Sequence, residues 1–142
     1  MKEDKDSGPA FIYTGIRVKD MDESIAFYTK VLNMTVAEKR ERTEPTKGEV
    51  VTLKSKLTNQ LLELNWYAGD SPYYSEYRNG EELDHLAFEV DDIDQWVSEL
   101  HTKGVKIVIR PGEIGGFIGW KEAFIRDPNG IWIEFLQRIK PQ

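Results

Sequence analysis

The chain has 142 residues and a formal net charge of -6, with basic and acidic side chains interleaved, so it offers neither a basic groove for nucleic acid nor a polybasic patch for a membrane. The absence of cysteine excludes disulfides, thiolate metal sites and cysteine nucleophiles, and any metal must be held by oxygen and imidazole. No apolar run is long enough to span a membrane and the leader, 1–8, is charged and small; it reads as a solvated, flexible tail and the protein as cytoplasmic.

Residues 10–18 read as a strand. Apolar side chains at 21, 25, 27, 28, 31 and 32 then predict an amphipathic helix over 21–32, capped by Asp20 or Asp22. Residues 35–42 alternate weakly into a charged, proline-containing turn at 41–48, and 49–55 and 61–66 are two further strands, so that 9–66 is a β-α-β-β-β module. The aromatic, turn-rich stretch 67–82 is a linker. The second module, 83–138, repeats the order: strand 83–90, helix 93–102 capped by Asp91 or Asp92 and closed by Gly104, strand 105–110, a glycine-rich loop at 112–119, and a hairpin of 120–126 and 131–137 around Asp127-Pro128-Asn129-Gly130. The expected class is α+β: two tandem modules whose mixed sheets curl around a central cleft.

The modules also match residue by residue. Val18, Asp20 and Asp22 recur as Val90, Asp92 and Asp94, and Leu61-Leu62-Glu63-Leu64 returns as Trp132-Ile133-Glu134-Phe135. Duplicated modules are usually related by a pseudo-twofold axis, which brings equivalent positions together; here these are Tyr13, Glu63, His85 and Glu134. Strand parity turns Ile12, Ile16, Val18, Leu86, Phe88 and Val90 toward the helices and puts all four special residues on the opposite faces.

One imidazole and two carboxylates, His85 with Glu63 and Glu134, suit a metal such as Zn, Mn, Fe, Ni or Co. A lone strand histidine is more often an ordinary hydrogen-bonded residue than a ligand. Two mid-strand glutamates, however, are costly to bury unless paired, protonated or coordinated. Tyr13 is a poor divalent ligand at neutral pH, and a phenolate ligand, a hydroxyl donor to substrate and a space-filling aromatic all stay open. Arg17 on the same face can grip a carboxylate or phosphate, or pair with Glu63 or Glu89. His101 reads as a solvated helix residue. Neither a phosphate-binding loop nor a serine nucleophile elbow is present.

Several segments together resemble the vicinal oxygen chelate superfamily, the group of glyoxalase I, bleomycin-resistance proteins and extradiol dioxygenases, along 11–138. They are Arg17-Val18-Lys19-Asp20, Ser24-Ile25-Ala26-Phe27-Tyr28, Val31-Leu32-Asn33-Met34, Leu62-Glu63-Leu64, Asp84-His85-Leu86-Ala87-Phe88-Glu89-Val90, and Arg126-Asp127-Pro128-Asn129-Gly130 leading to Glu134. The pattern is most similar to glyoxalase I. That resemblance implies one divalent metal ion held by Glu63, His85 and Glu134, and a homodimer whose sites use both subunits. It implies lyase or isomerase chemistry on a small oxygenated substrate or thiol adduct, with glutathione or another thiol as the carrier. Glu134, with Glu63 second, would move the proton as an enediolate forms. Arg17 falls on a glutathione-holding position, Asn65 is a possible substitute for an asparagine contact, and Tyr13 stands where the family has a histidine. Two other readings follow from the same resemblance: a nonenzymatic small-molecule binding or resistance protein, and a non-haem iron dioxygenase, for which Tyr13 removes the second histidine.

Overall fold

Each repeat builds its own hydrogen-bonded sheet in a computed structural model that describes residues 9–80, 83–112 and 119–139, apart from the side chains of 41–43. The first sheet has the order β1-β4-β3-β2, from β1 (Thr14–Arg17), β2 (Thr35–Thr43), β3 (Gly48–Lys54) and β4 (Leu61–Tyr67). The second has the order β5-β7-β6, from β5 (His85–Glu89), β6 (Trp120–Arg126) and β7 (Trp132–Arg138). Helix α1 (Met21–Ala26), continued by a π turn over Phe27–Val31, follows β1, and α2 (Ile93–Thr102) follows β5. The expected tail at 1–8 and residues 113–118 of the expected glycine-rich loop lie outside the described residues.

The duplication is visible in the ladder register. Gly15 pairs with Glu63 in the parallel β1–β4 ladder, and Ala87 pairs with Glu134 in the parallel β5–β7 ladder. The repeated valines finish both ladders alike: Val18 N donates to Asn65 O and Val90 N to Leu136 O, each at 2.9 Å. The repeated aspartates then start the helices. Asp20 accepts from Glu23 N and Asp92 from Gln95 N, satisfying amides that have no partner inside the helix.

Both helices lie against the apolar sides of the sheets. Leu64, Val51 and Leu53 from the first sheet and Ile125, Ile133 and Phe135 from the second are essentially solvent-free and join one core with Tyr28, Ile93 and Leu100. Burying each such large apolar side chain contributes about 1.5–3 kcal/mol.

A polar latch joins the modules. Asp127, in the hairpin turn, accepts from Asn129 N and Ile131 N at 2.8 Å, and its other oxygen accepts from Tyr28 OH of the first module at 2.9 Å. Asn129 adds bonds to Ser24 Oγ at 3.1 Å and from Lys19 N at 2.8 Å. With its oxygens saturated, the buried Asp127 carboxylate ties the hairpin turn to the π turn that continues α1. Burial, then the adjacent Asp127 charge, pushes the Tyr28 hydroxyl far above the usual phenol range.

Two expectations are corrected. The first strand begins at Thr14, opposite Leu62, so residues 10–12 run past Leu61, the first residue of their partner; Ile12, expected to face the helix, is 67% exposed. The strand expected at 105–110 is reduced to a bridge between Ile109 and Phe124. Val108 N and Ile109 N both donate to Phe124 O, a bulge that breaks the ladder, and Pro111 has no N–H with which to resume it.

Candidate active site

The outer face of the second sheet, away from the helices, is ordered in cross-strand rows. His85, Trp132 and Arg126 form one row, Ala87, Glu134 and Phe124 the next, and Glu89, Leu136 and Glu122 the third. The rings of His85 and Phe124 stand 6.2 Å apart edge-on, as do those of Phe124 and Trp132 at 6.0 Å. Arg126 lies 4.3 Å over Trp132, and Arg138 lies 4.5 Å over Trp120. Among these aromatic side chains Glu134 is only 4% exposed, although it faces away from the core.

His85 is held on both sides. Its Nδ1 lies 2.5 Å from Asp84 Oδ1 and its Nε2 2.9 Å from Glu134 Oε2. The hydrogen bond to Asp84 raises the imidazole pKa above its ordinary value; partial burial opposes this and the Glu134 charge assists it. Glu134 is raised above the usual carboxylate range chiefly by burial, then by a hydrogen bond with Glu122, against the lowering effect of His85. An imidazole whose Nδ1 is fixed by a carboxylate presents Nε2 in the orientation that metal-binding histidines use. With Glu134 alongside, the chemistry of this donor pair fits a divalent cation of the zinc, nickel or cobalt type.

The first sheet carries the other half. Glu63 lies in a row with Gly15, Thr52 and Glu38, and Arg17, Asn65, Val50 and Arg40 form the next. A Cβ on Gly15 would lie 3.8 Å from Glu63 Oε1 and 3.9 Å from Tyr13 Cε2, so both side chains border the space that this glycine leaves open. Tyr13 is 43% exposed and precedes the strand. Arg17 makes no ion pair with Glu63 or Glu89; it donates to Ser75 Oγ at 2.6 Å and Ser75 O at 3.1 Å, and lies 5.3 Å over the Tyr67 ring. Asn65 spends its amide on the backbone oxygens of Ile16 and Glu63.

The structure therefore brings His85 to Glu134 and Tyr13 toward Glu63, but it does not unite the halves. No three His, Asp or Glu side chains among the described residues gather closely enough to hold a metal ion. The expected central cleft is not closed around Glu63, His85 and Glu134 within one chain. A cavity of about 850 Å³ does lie between the modules, but it is lined by residues such as Leu62, Leu86, Phe88, Trp96 and Phe135, not by these donors. Among the described residues the modules meet on the helix side, through the latch and the shared core, and no strand of one sheet pairs with a strand of the other. His101, on α2, is exposed.

Two residues of this face were not singled out in the sequence. Asp84 precedes the strand, and only its adjacency to His85 could have marked it. Glu122 was legible in principle, because Glu122 and Phe124 alternate with the fully buried Ala123 and Ile125 and so share the face of Glu134.

Duplicated sheets bearing equivalent glutamates, β-α-β-β-β in the first module and β-α-β-β in the second, define a class, and comparison with known proteins agrees. Residues 10–135 match the Glyoxalase/Bleomycin resistance protein/Dioxygenase superfamily, and the chain belongs to it. A probable lactoylglutathione lyase of Vibrio cholerae is 34% identical over 136 residues, covering 92% of each chain. The lactoylglutathione lyase of Arabidopsis thaliana is 30% identical over 129 residues, and the present chain spans only 44% of its length. Among solved structures, the trypanothione-dependent glyoxalase I of Leishmania major superposes with a TM-score of 0.70 at 30% identity, covering 92% of this chain and 87% of that one. Glyoxalase I of Zea mays gives 0.68 at 28% identity, covering 91% of this chain and 44% of that one. The α+β glyoxalase-like fold is thus established, and no helix among the described residues is long and apolar enough to cross a membrane.

Proposed function

We propose that the chain is a glyoxalase I-like, metal-dependent lyase that isomerises a small oxygenated substrate or thiol adduct at sites shared between two copies in the cytoplasm. The observation that carries the reading is the equivalent register of Glu63 and Glu134 beside Gly15 and Ala87, with His85 already in contact with Glu134. Since one chain leaves the donors on two separate faces, Glu63 of one copy would meet His85 and Glu134 of the other, with Tyr13 opposite them.

A bound divalent cation supplies Lewis-acid stabilisation of oxygen charge as an enediolate forms. Glu134 accepts the proton from the carbon next to the carbonyl and returns it to the neighbouring carbon, so that no net proton is gained or lost. Burial and the neighbouring Glu122 raise Glu134 above the usual carboxylate range, the direction that strengthens a carboxylate as a base. Glu63 is the alternative base. Tyr13 donates its hydroxyl to a substrate oxygen, Arg17 and Asn65 bind the polar end of the substrate, and Asp84 keeps the His85 ring aligned. Glutathione or another thiol is the carrier that the relatives' names suggest.

The test is elemental analysis of untagged protein followed by an assay with the hemithioacetal of methylglyoxal and glutathione. Stoichiometric metal and metal-dependent isomerisation are expected; inactivity after loading with zinc, nickel, cobalt, manganese and iron in turn would sink the reading. The aromatic face of Trp120, Phe124 and Trp132 favours a second reading, sequestration of a small molecule without turnover, for which ligand binding would persist in metal-free protein.

A further inference from the structure

The duplication keeps a positive charge at one place on both outer faces. Arg126 lies opposite Trp132 in the β6–β7 ladder and Lys54 opposite Leu61 in the β3–β4 ladder. The two rows are equivalent, since Phe124 opposite Glu134 answers Thr52 opposite Glu63. The first module is therefore built without an indole at this place. In the second the indole is present, and the Arg126 guanidinium lies 4.3 Å over it.

Stacking fixes the plane of a guanidinium and leaves its edge, where all its N–H groups point, free to donate. The other arginines of the outer faces have acceptors: Arg17 donates to Ser75 Oγ, Arg40 pairs with Glu38 at 2.9 Å, and Arg138 is 3.8 Å from Glu89. Arg126 is exposed, and among the described residues its guanidinium meets no acceptor. Acids outnumber bases 25 to 19 in the chain, so the open fork does not reflect a shortage of carboxylates.

Arg126 shares its row with His85 and Trp132, beside the row of Glu134. Glu134 is two residues along β7 from Trp132, a distance of about 7 Å along the strands. A molecule lying along this face can therefore set its reacting carbon at Glu134 and an anionic end at Arg126. A planar carboxylate matches the fork.

We propose that Arg126, held flat on Trp132, is a specificity-determining residue that takes a carboxylate of the substrate and selects acidic thiol adducts over neutral ones. The inference rests on the lyase reading above. It gives the second sheet an anion-holding residue of its own, in addition to Arg17 on the first.

The test compares kcat/KM for the methylglyoxal hemithioacetals of glutathione and of glutathione diethyl ester, whose carboxylates are esterified. The wild type is set against Arg126→Gln, Arg126→Lys and Trp132→Leu, the last installing the sister module's residue. Preference for the acid over the ester is expected to fall about 10–100-fold in Arg126→Gln, through KM for the acid, and by less in the other two. The ratio cancels general damage to the fold; if Trp132→Leu does not fold, the two variants of the exposed Arg126 decide. Calorimetry of glutathione binding to metal-free protein gives a readout without turnover, and affinity is expected to fall in step. Turnover without a preference for the acid, or with a preference that survives Arg126→Gln, would overturn the role of Arg126 and leave the lyase reading standing. Glutathione binding that depends on Arg126 without isomerisation under any metal loading would overturn the lyase reading and keep the carboxylate site. A wild type that neither binds glutathione nor isomerises its adduct would overturn both.

Discussion

Asp84 grips the Nδ1 side of His85 at 2.5 Å while Glu134 holds Nε2 on the other, so the two acids fix the ring plane between them. His85 is raised above its ordinary value of 6.5, so its contribution to stability is complete below that value and is lost as pH rises through the folded pKa. Asp84→Asn removes the first cause of the shift. NMR titration of the imidazole, assigned against a His101→Gln background, should show the His85 pKa moving down in Asp84→Asn. An unmoved value would remove Asp84 from the site.

Glu134→Gln should lower turnover by about 10²–10⁴-fold, the usual range for a lost general base. Its effect on the metal-free fold has the opposite sign. A carboxyl raised above 4.5 imposes no penalty at lower pH and its full penalty above the raised value. The amide should therefore raise the melting temperature of metal-free protein at pH 8, and the gain should vanish toward pH 4. Melting curves at the two pH values check this.

Shared sites make a prediction about mixtures. Glu63→Gln and Glu134→Gln dimers should each be nearly inactive, yet unfolding and refolding them together should restore about a quarter of wild-type activity, because about half of random dimers are mixed and each holds one intact site. A mixture that stays inactive would place all the donors of a site in one chain.

Tyr13→His restores an imidazole beside Glu63. Zinc or nickel affinity, measured by calorimetry, should rise about 10-fold or more. No change would mean that this position does not face the cation.

Tyr28→Phe removes one hydrogen bond to a buried carboxylate and should cost about 1–3 kcal/mol in urea unfolding. Metal affinity should be unaltered, since the latch and the donor faces are on opposite sides of the sheets.

Much of this was legible in the chain because duplication reports itself twice. Asp20 and Asp92, each one of two cap candidates in the sequence, do cap the helices, and the echoed Val18 and Val90 stand at equivalent ladder ends. The alternation of Leu62, Glu63 and Leu64 with its counterpart around Glu134 placed both acids on the outer faces. What could not be read was how the halves meet. The Asp127-Pro128-Asn129-Gly130 stretch reads as a turn, and nothing local says that its carboxylate also reaches Tyr28, 99 positions earlier. Parity predicts which face a residue occupies, but the relative placement of two faces depends on such long-range contacts. The missing strand at 105–110 has a similar cause: apolar alternation is present, and a bulge opposite Phe124 overrides it.

The arrangement around Asp127 divides labour within the molecule. Cohesion between the repeats is vested in the shared apolar core and in a hairpin turn latched to a helix, all on the inner side of the sheets, leaving the outward strand residues a smaller part in keeping the chain folded. Substitutions there alter chemistry at small structural cost, so one framework can exchange its reactive surface freely. A superfamily whose name joins lyases, drug-resistance proteins and oxygenases is what such freedom would produce.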